Sequence, residues 1–324
     1  MDISEYRRQS EAELEQAARQ QPSFRDLLER SRRDAGPNAP ASSQGSPAGD
    51  DLTAAIAVLR DGEADERLRS AALQVISGAV DGQPELFDIL LEVLRDAARP
   101  ADVRIAVLDV LRQISFRMAA FPGKRPDYLA ALRSIIDDPD AELRQRAVGI
   151  LAREKDEYVQ RRLIDGLEGS TEALVPTEKA IQYLGYDVHA EYFPLLRRIV
   201  EHPPTPAART EAVRLLAADA SSTDLLLTIL SDKGESSDVR RISAIGLQSA
   251  APGQFEEQAR RIVLDDDEDD QLQAMSITAL THFADPEALS RDDELTGRIA
   301  QLRTKPPSGE VEQAAASYLS KHRT

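Results

Sequence analysis

A chain of 324 residues with a formal charge of −17, 30% charged and 41% hydrophobic residues has the composition of a soluble protein. That charge repels polyphosphate, and no local basic patch stands out to overcome it, so nucleic acid is excluded as a partner. The lack of cysteine removes disulfides and thiolate chemistry, while the absence of a signal-peptide core and of any run near the ~18 apolar residues of a membrane span points to a cytoplasmic protein with no membrane partner.

Residues 1–33 read as an N-terminal helical arm. Asp2 with Glu5, Ser10 with Glu13 and Ser23 with Asp26 have the spacing of capping boxes, in which the first side chain accepts from a free helix N–H. Behind the last of these, Phe24, Leu27 and Leu28 fall at i, i+3 and i+4. Such a stripe is too small to form a core alone but is suited to docking in a groove, in cis or on a second copy, the latter giving self-association through the arm. Ala35 to Gly49 is Gly, Pro, Ser, Ala and Asn with almost no large apolar side chain, so residues 34–50 are expected to be a flexible linker.

Residues 51–324 read as helix pairs whose second helix carries the register. The first core positions are Leu68, Val103, Leu143, Pro176, Ala208, Val239, Leu272 and Val311, eight marks spaced 31 to 40 residues apart. Four residues after each mark stands a small or narrow side chain, Ala72, Val107, Ala147, Ala180, Ala212, Ser243, Ser276 or Ala315. Eight residues after it stands Ile76 or a leucine, from Leu111 to Leu319. At about 100° per residue these sites form one buried stripe. The site five residues after the mark is also apolar throughout, from Leu73 to Ala316, as expected when each second helix is flanked by its neighbours in a stack.

This pattern resembles the HEAT-repeat family in its short prokaryotic, phycobilisome-lyase-type form, over residues 51–324. The resemblance implies an all-α fold, a right-handed α-solenoid of about eight HEAT-like helix pairs preceded by the helical arm. A tetratricopeptide array fits less well, because this chain has no Trp, and the ankyrin Thr-Pro-Leu-His signature is absent. In the HEAT family the Arg after the first core position joins a hydrogen-bonded ladder with turn aspartates, and Arg69, Arg104, Arg144, Arg209 and Arg240 match it. Asp65, Asp102, Asp140 and Asp238 precede four of them, whereas Thr177, Gln273 and Glu312 break the pattern.

Two connections exceed the period. Residues 115–126 add Phe116, Met118 and Phe121 with three bases, either extending a binding surface or sealing a repeat junction, and the turn around Lys305 to Gly309 reads as long. The acidic run Asp265 to Asp270 fails as an EF-hand, because Asp270 stands where Gly is needed and Ser276 where Glu should chelate; it reads as a solvated turn, with no metal expected.

His189, His202, His282 and His322 make no close pair. A HEAT-fold hydroxylase holds iron with His-Glu dipeptides, and the residues that follow these four are Ala190, Pro203, Phe283 and Arg323. Neither a Gly-rich phosphate loop nor a Gly-x-Ser-x-Gly elbow occurs, so no cofactor and no catalytic residue is assigned. An aromatic concentration at Tyr183, Tyr186, His189, Tyr192 and Phe193 could form a pocket or an anchor, with Tyr192 assigned to the core by its spacing from Leu195, Leu196 and Ile199.

The remaining surface lies two, six and nine residues after each mark, positions that line the concave side in the family resembled. It includes Ile105, Asp109, Arg112, Gln145, Gln182, Arg214, Arg241, Ile245 and Gln248 and is weakly charged, as suits a protein or peptide partner. The expected function is therefore a non-catalytic protein-protein interaction scaffold. The alternative, implied by the resemblance, is a chromophore or small-molecule lyase with a deep polar pocket around Tyr186 and His189.

Overall fold

The computed structural model describes residues 22–34, 47–61 and 64–322, so the capping pairs at Asp2 and Ser10 and most of the expected linker lie outside the described residues. Among the described residues there is no strand, and no helix is long and apolar enough to cross a membrane. The chain divides into two units, residues 1–151 and 152–324.

In the first unit α1 (Phe24–Asp34) precedes the pairs α2 (Pro47–Arg60) with α3 (Glu66–Ala79), α4 (Glu85–Arg95) with α5 (Ala101–Arg117), and α6 (Phe121–Arg133) with α7 (Ala141–Arg153), the division falling inside α7. Second helix touches second helix, α3 against α5, while each is flanked by its own first helix. The second unit repeats the plan through α8 (Glu157–Leu167) with α9 (Thr177–Leu184), α10 (Phe193–Glu201) with α11 (Pro206–Leu216), and α12 (Thr223–Ser231) with α13 (Ser237–Ala250). It continues with α14 (Pro252–Leu264) and α15 (Asp270–Phe283), then the short α16 (Pro286–Ser290), α17 (Asp293–Thr304) and α18 (Gly309–Lys321). There α9, α11, α13, α15 and α18 stack in succession. The fold is an all-α array of stacked helix pairs.

The pairs form because the second helices bury the predicted stripe, and six of the eight start on side-chain caps. Asp65, Asp140, Thr205, Ser236, Asp269 and Ser308 each accept from a backbone N–H two or three residues on, which satisfies one of the donors a helix start leaves free. Seven of the eight marks are buried, as are all eight small sites and every eighth-residue site except the half-buried Leu319. Pro176 is the exception among the marks. It is exposed and serves as N-cap of the short α9, and Leu174 and Val175 just before it are buried in its place.

Neither long connection proves to be a long loop. Residues 115–126 are the last turn of α5 and the first turn of α6: Met118 is buried and Phe121 packs edge-on against Phe87 and Tyr128, centroids 6.0 and 5.8 Å away, whereas Phe116 is 87% exposed. In the last repeat the turn from Lys305 to Ser308 is short, and the added length is α16 instead.

α13 comes very close to the end of α11 at Gly246. A Cβ built there would lie 2.8 Å from Ala217 Cβ and 2.9 Å from Ala217 Cα, and those atoms cannot swing away as a long side chain would. Helix propensity favours Ala over Gly by ~1 kcal/mol, but overpacking against backbone costs ~1–3 kcal/mol. Gly246→Ala should therefore destabilise the second unit, seen as a lowered urea midpoint, despite the gain in propensity.

Candidate functional site

The ladder arginines are cross-repeat clamps. Arg104, itself buried, donates Nε to the Leu94 carbonyl at 2.9 Å and Nη1 to Asp138 at 2.6 Å. Arg240 donates Nε to the Leu230 carbonyl at 2.8 Å and both terminal nitrogens to Glu268, at 2.6 and 2.8 Å. Arg209 likewise serves the Val200 carbonyl and Glu235, and Arg69 lies 3.7 Å from Asp102. In three cases the carbonyl belongs to the last turn of the arginine's own first helix, where acceptors lack intrahelical partners, and the acid belongs to the turn of the next pair.

This corrects the expected partners: the aspartates that precede these arginines cap helices or pair elsewhere, and the ladder acids sit one repeat on. Arg144 differs, donating to the Asp138 carbonyl in its own turn. Gln273, which lacks the charge, keeps the backbone half of the arrangement by donating Nε2 to the Asp265 carbonyl at 3.2 Å.

The same logic assigns the acidic run. Asp265 pairs with Lys233 at 2.6 Å, Asp266 with Arg298 at 2.7 Å and Glu268 with Arg240, while Asp269 caps α15 and accepts from Ser237 at 2.9 Å. Lys233 holds the Asp265 carboxyl below the usual carboxylate range. These acids join neighbouring pairs.

A second set of links, which periodicity did not reveal, joins first helices. Gln160 on α8 donates to Asp187 at 3.2 Å and accepts from the Tyr192 hydroxyl at 3.3 Å. Arg197 on α10 reaches Ser222 and Asp219, and Arg260 on α14 reaches Asp292 and Glu294, both at 2.6 Å. The aromatic concentration belongs to the first of these links. Tyr192 is buried, and burial pushes its phenol up to about 12. His189 sits 3.1 Å from Asp187 and edge-on to Tyr192, and Tyr183 stacks on Tyr186, over which Arg153 lies at 5.5 Å. Hydrogen bonds from Gln160, Lys155 and His189 lower the Asp187 carboxyl to about 2.

None of the nine face residues is buried. Arg112, Arg214 and Ile245 are exposed, and Ile105, Asp109, Gln145, Gln182, Arg241 and Gln248 are half-buried. Several charges on the face are already matched: Asp109 takes Arg146 at 2.7 Å, Arg214 lies 3.4 Å from Glu211, and Arg241 pairs with Asp238. Ile245 is 58% exposed in the middle of α13. One turn on, Gln248 lines a notch of about 160 Å³ with Phe255, Ala259, Leu280 and Ala284, rimmed by Phe283, which is 72% exposed. The notch was not foreseen, since it forms where the ends of α13 and α15 meet the start of α14.

No family model and no curated protein matches the chain. A solved structure of human deoxyhypusine hydroxylase in complex with glycerol aligns with 76% of this chain and 98% of its own length, at 16% identity and a TM-score of 0.33. A likeness at that level places no activity here.

Two outcomes follow from the links. Arg240→Ala leaves Glu268 buried without its cation and should cost ~3–5 kcal/mol in chemical denaturation, and replacing both residues with apolar ones of similar size should recover most of that loss. Asp187→Asn should be less stable than wild type at neutral pH. Because the folded carboxyl is lowered to about 2, its stabilisation is complete above the unfolded value near ~3.9 and is lost as pH falls toward 2. The gap between the two urea midpoints should therefore close between about pH 4 and 2.

Proposed function

We propose that this chain is a HEAT-like repeat protein of the short prokaryotic type, acting as a non-catalytic scaffold that binds a protein or peptide on the accessible face of its second helices. The observation that supports this reading is apolar surface left in water on the second helices: Ile245, 58% exposed on that face, and, at the end of α15, Phe283, 72% exposed on the rim of a notch floored by Phe255, Ala259 and Leu280. Scattered apolar residues on a surface need no explanation, but a large exposed ring on the rim of an apolar recess makes an anchor site. The neutral Gln248, a face residue that also lines the notch, suits the charge-poor centre of a protein interface.

A lyase acting at Tyr186 and His189 would need those groups turned to a ligand. Arg153 lies over one face of the Tyr186 ring, and His189 is engaged with Asp187 and Tyr192, so both side chains already hold partners within the chain. This favours the scaffold.

The test is affinity capture from native lysate with the full tagged chain, comparing wild type with Ile245→Glu/Phe283→Glu. Tyr158→Glu, an exposed aromatic on the first helix α8, serves as control. A protein retained by wild type and control, and reduced about tenfold or more by the double change, is the expected result; tenfold corresponds to about 1.4 kcal/mol. Identical capture by all three chains would overturn the assignment of this face.

A further inference from the structure

The first unit carries a second recess, already occupied by a piece of the chain itself. α1 packs on α3, which also touches α5, so the arm covers a flank of the stack. Its seating has a defined chemistry. The Ser23 and Asp26 capping box starts the helix, with hydrogen bonds of 3.1 and 3.2 Å between the two residues, and Phe24 beside it is 9% exposed. Arg25 grips both oxygens of the Asp51 carboxylate on α2 through Nη2, at 2.8 and 2.9 Å. Leu27 and Leu28 follow, only half-buried.

The fit is incomplete. Leu27 and Leu28 share a groove of about 710 Å³ with Ala54, Val58, Leu68 and other side chains of α2, α3 and the turn between them. Unfilled space on one side of an apolar side chain forfeits its dispersion contacts there. The ion pair is solvated, its side chains 51% and 34% exposed, so its hold is weak. One buried anchor, a screened ion pair and two leucines over a partly empty groove make a loose attachment, and residues 35–46 keep α1 joined to α2 when it lets go.

We propose that the groove between α1, α2 and α3 is a docking site for an amphipathic helix of a partner protein, and that α1 is its resident, displaceable occupant. The resident defines the ligand: an aromatic anchor, a base immediately after it to meet Asp51, and large apolar residues three and four positions after the anchor. Side chains bulkier than leucine at the last two positions fill the groove better than α1 does. Tethering sets a threshold, because a covalently attached competitor acts at an effective concentration on the order of millimolar. A partner helix must therefore bind the bare groove well to displace it, and the site responds to strong ligands only. This site is independent of the Ile245 face, and either can fail alone.

The experiment uses the full chain and, as probe, a fluorescent peptide of residues 22–34 followed by anisotropy. Phe24→Ala/Arg25→Glu releases α1 while leaving every α2 and α3 side chain of the groove unchanged, and should bind the peptide at least about tenfold tighter than wild type does. In that released chain Asp51→Arg should weaken binding about fivefold, and a peptide carrying Arg25→Glu should recover it. Equal affinity of wild-type and released chains, or no binding to the released chain, overturns the proposal. Should the released chain lose its fold by circular dichroism, amide exchange on the wild-type chain decides. Saturating peptide should deprotect the chain's own residues 24–34, and unchanged protection there overturns the proposal. Concentration-dependent dimers of wild type that the peptide dissolves would make the occupant another copy's α1, and would overturn the assignment to a partner protein.

Discussion

A guanidinium buried between two helix pairs has five N–H donors to place, and each left over is a penalty that packing cannot offset. Arg104, Arg209 and Arg240 place theirs on two kinds of acceptor that the array must supply anyway. One is the carbonyl of Leu94, Val200 or Leu230, which ends a first helix and has no amide to serve it. The other is Asp138, Glu235 or Glu268 in the turn of the next pair. A single side chain thereby closes one helix and fixes the next pair at the same time. Removing it would orphan groups in both, which is why these residues tolerate burial.

The arginine can act this way only if the second helices run close together. The small residues four positions after each mark supply that proximity, all of them buried, and Gly246 against Ala217 is its limit. Ser243 shows how a polar residue survives there: its hydroxyl donates to the Val239 carbonyl within its own helix at 3.0 Å. At Ser243 packing and polar satisfaction are therefore one arrangement, and along the array large residues fill the space that small ones open while arginine ties off its ends.

Most of the fold was legible in the sequence because it rests on local periodicity. A mark with a small residue four positions on and a leucine eight positions on occupies one helix face whatever the rest of the chain does, so all eight pairs could be counted. Pro176 was misread because proline matched the spacing while its lack of an N–H suited the cap better than the core. The ladder acids could not be matched to their arginines because the connections vary in length. From arginine to acid the chain runs 34, 26 and 28 residues, and no fixed period spans that range. The links through Gln160, Arg197 and Arg260 were hidden for the same reason and by their mixed residue types. The face positions were legible as accessible sites, but the notch at Phe283 was not, since three helix ends from two pairs build it.

The distribution of charge connects the array to its proposed use. The chain has 57 acidic and 40 basic residues, and much of the acid is drawn into the turns, where guanidinium groups and helix-start amides need it. Asp138, Glu235, Asp265 and Glu268 are engaged by cations, and Asp65, Asp140 and Asp269 cap helices. Acid gathered in turns leaves the second-helix face weakly charged, and the charges that remain on it, Asp109 and Arg241 among them, already hold partners. A partner meeting that face would find little net charge to steer it, so its affinity would have to come from apolar contact at Ile245 and at the notch beside Gln248. The groove under α1 is built the other way, with a carboxylate at its edge and an anchor beside it. An array whose interior demands so much acid in its turns would thereby separate the two proposed kinds of recognition, shape on the face and charge at the arm.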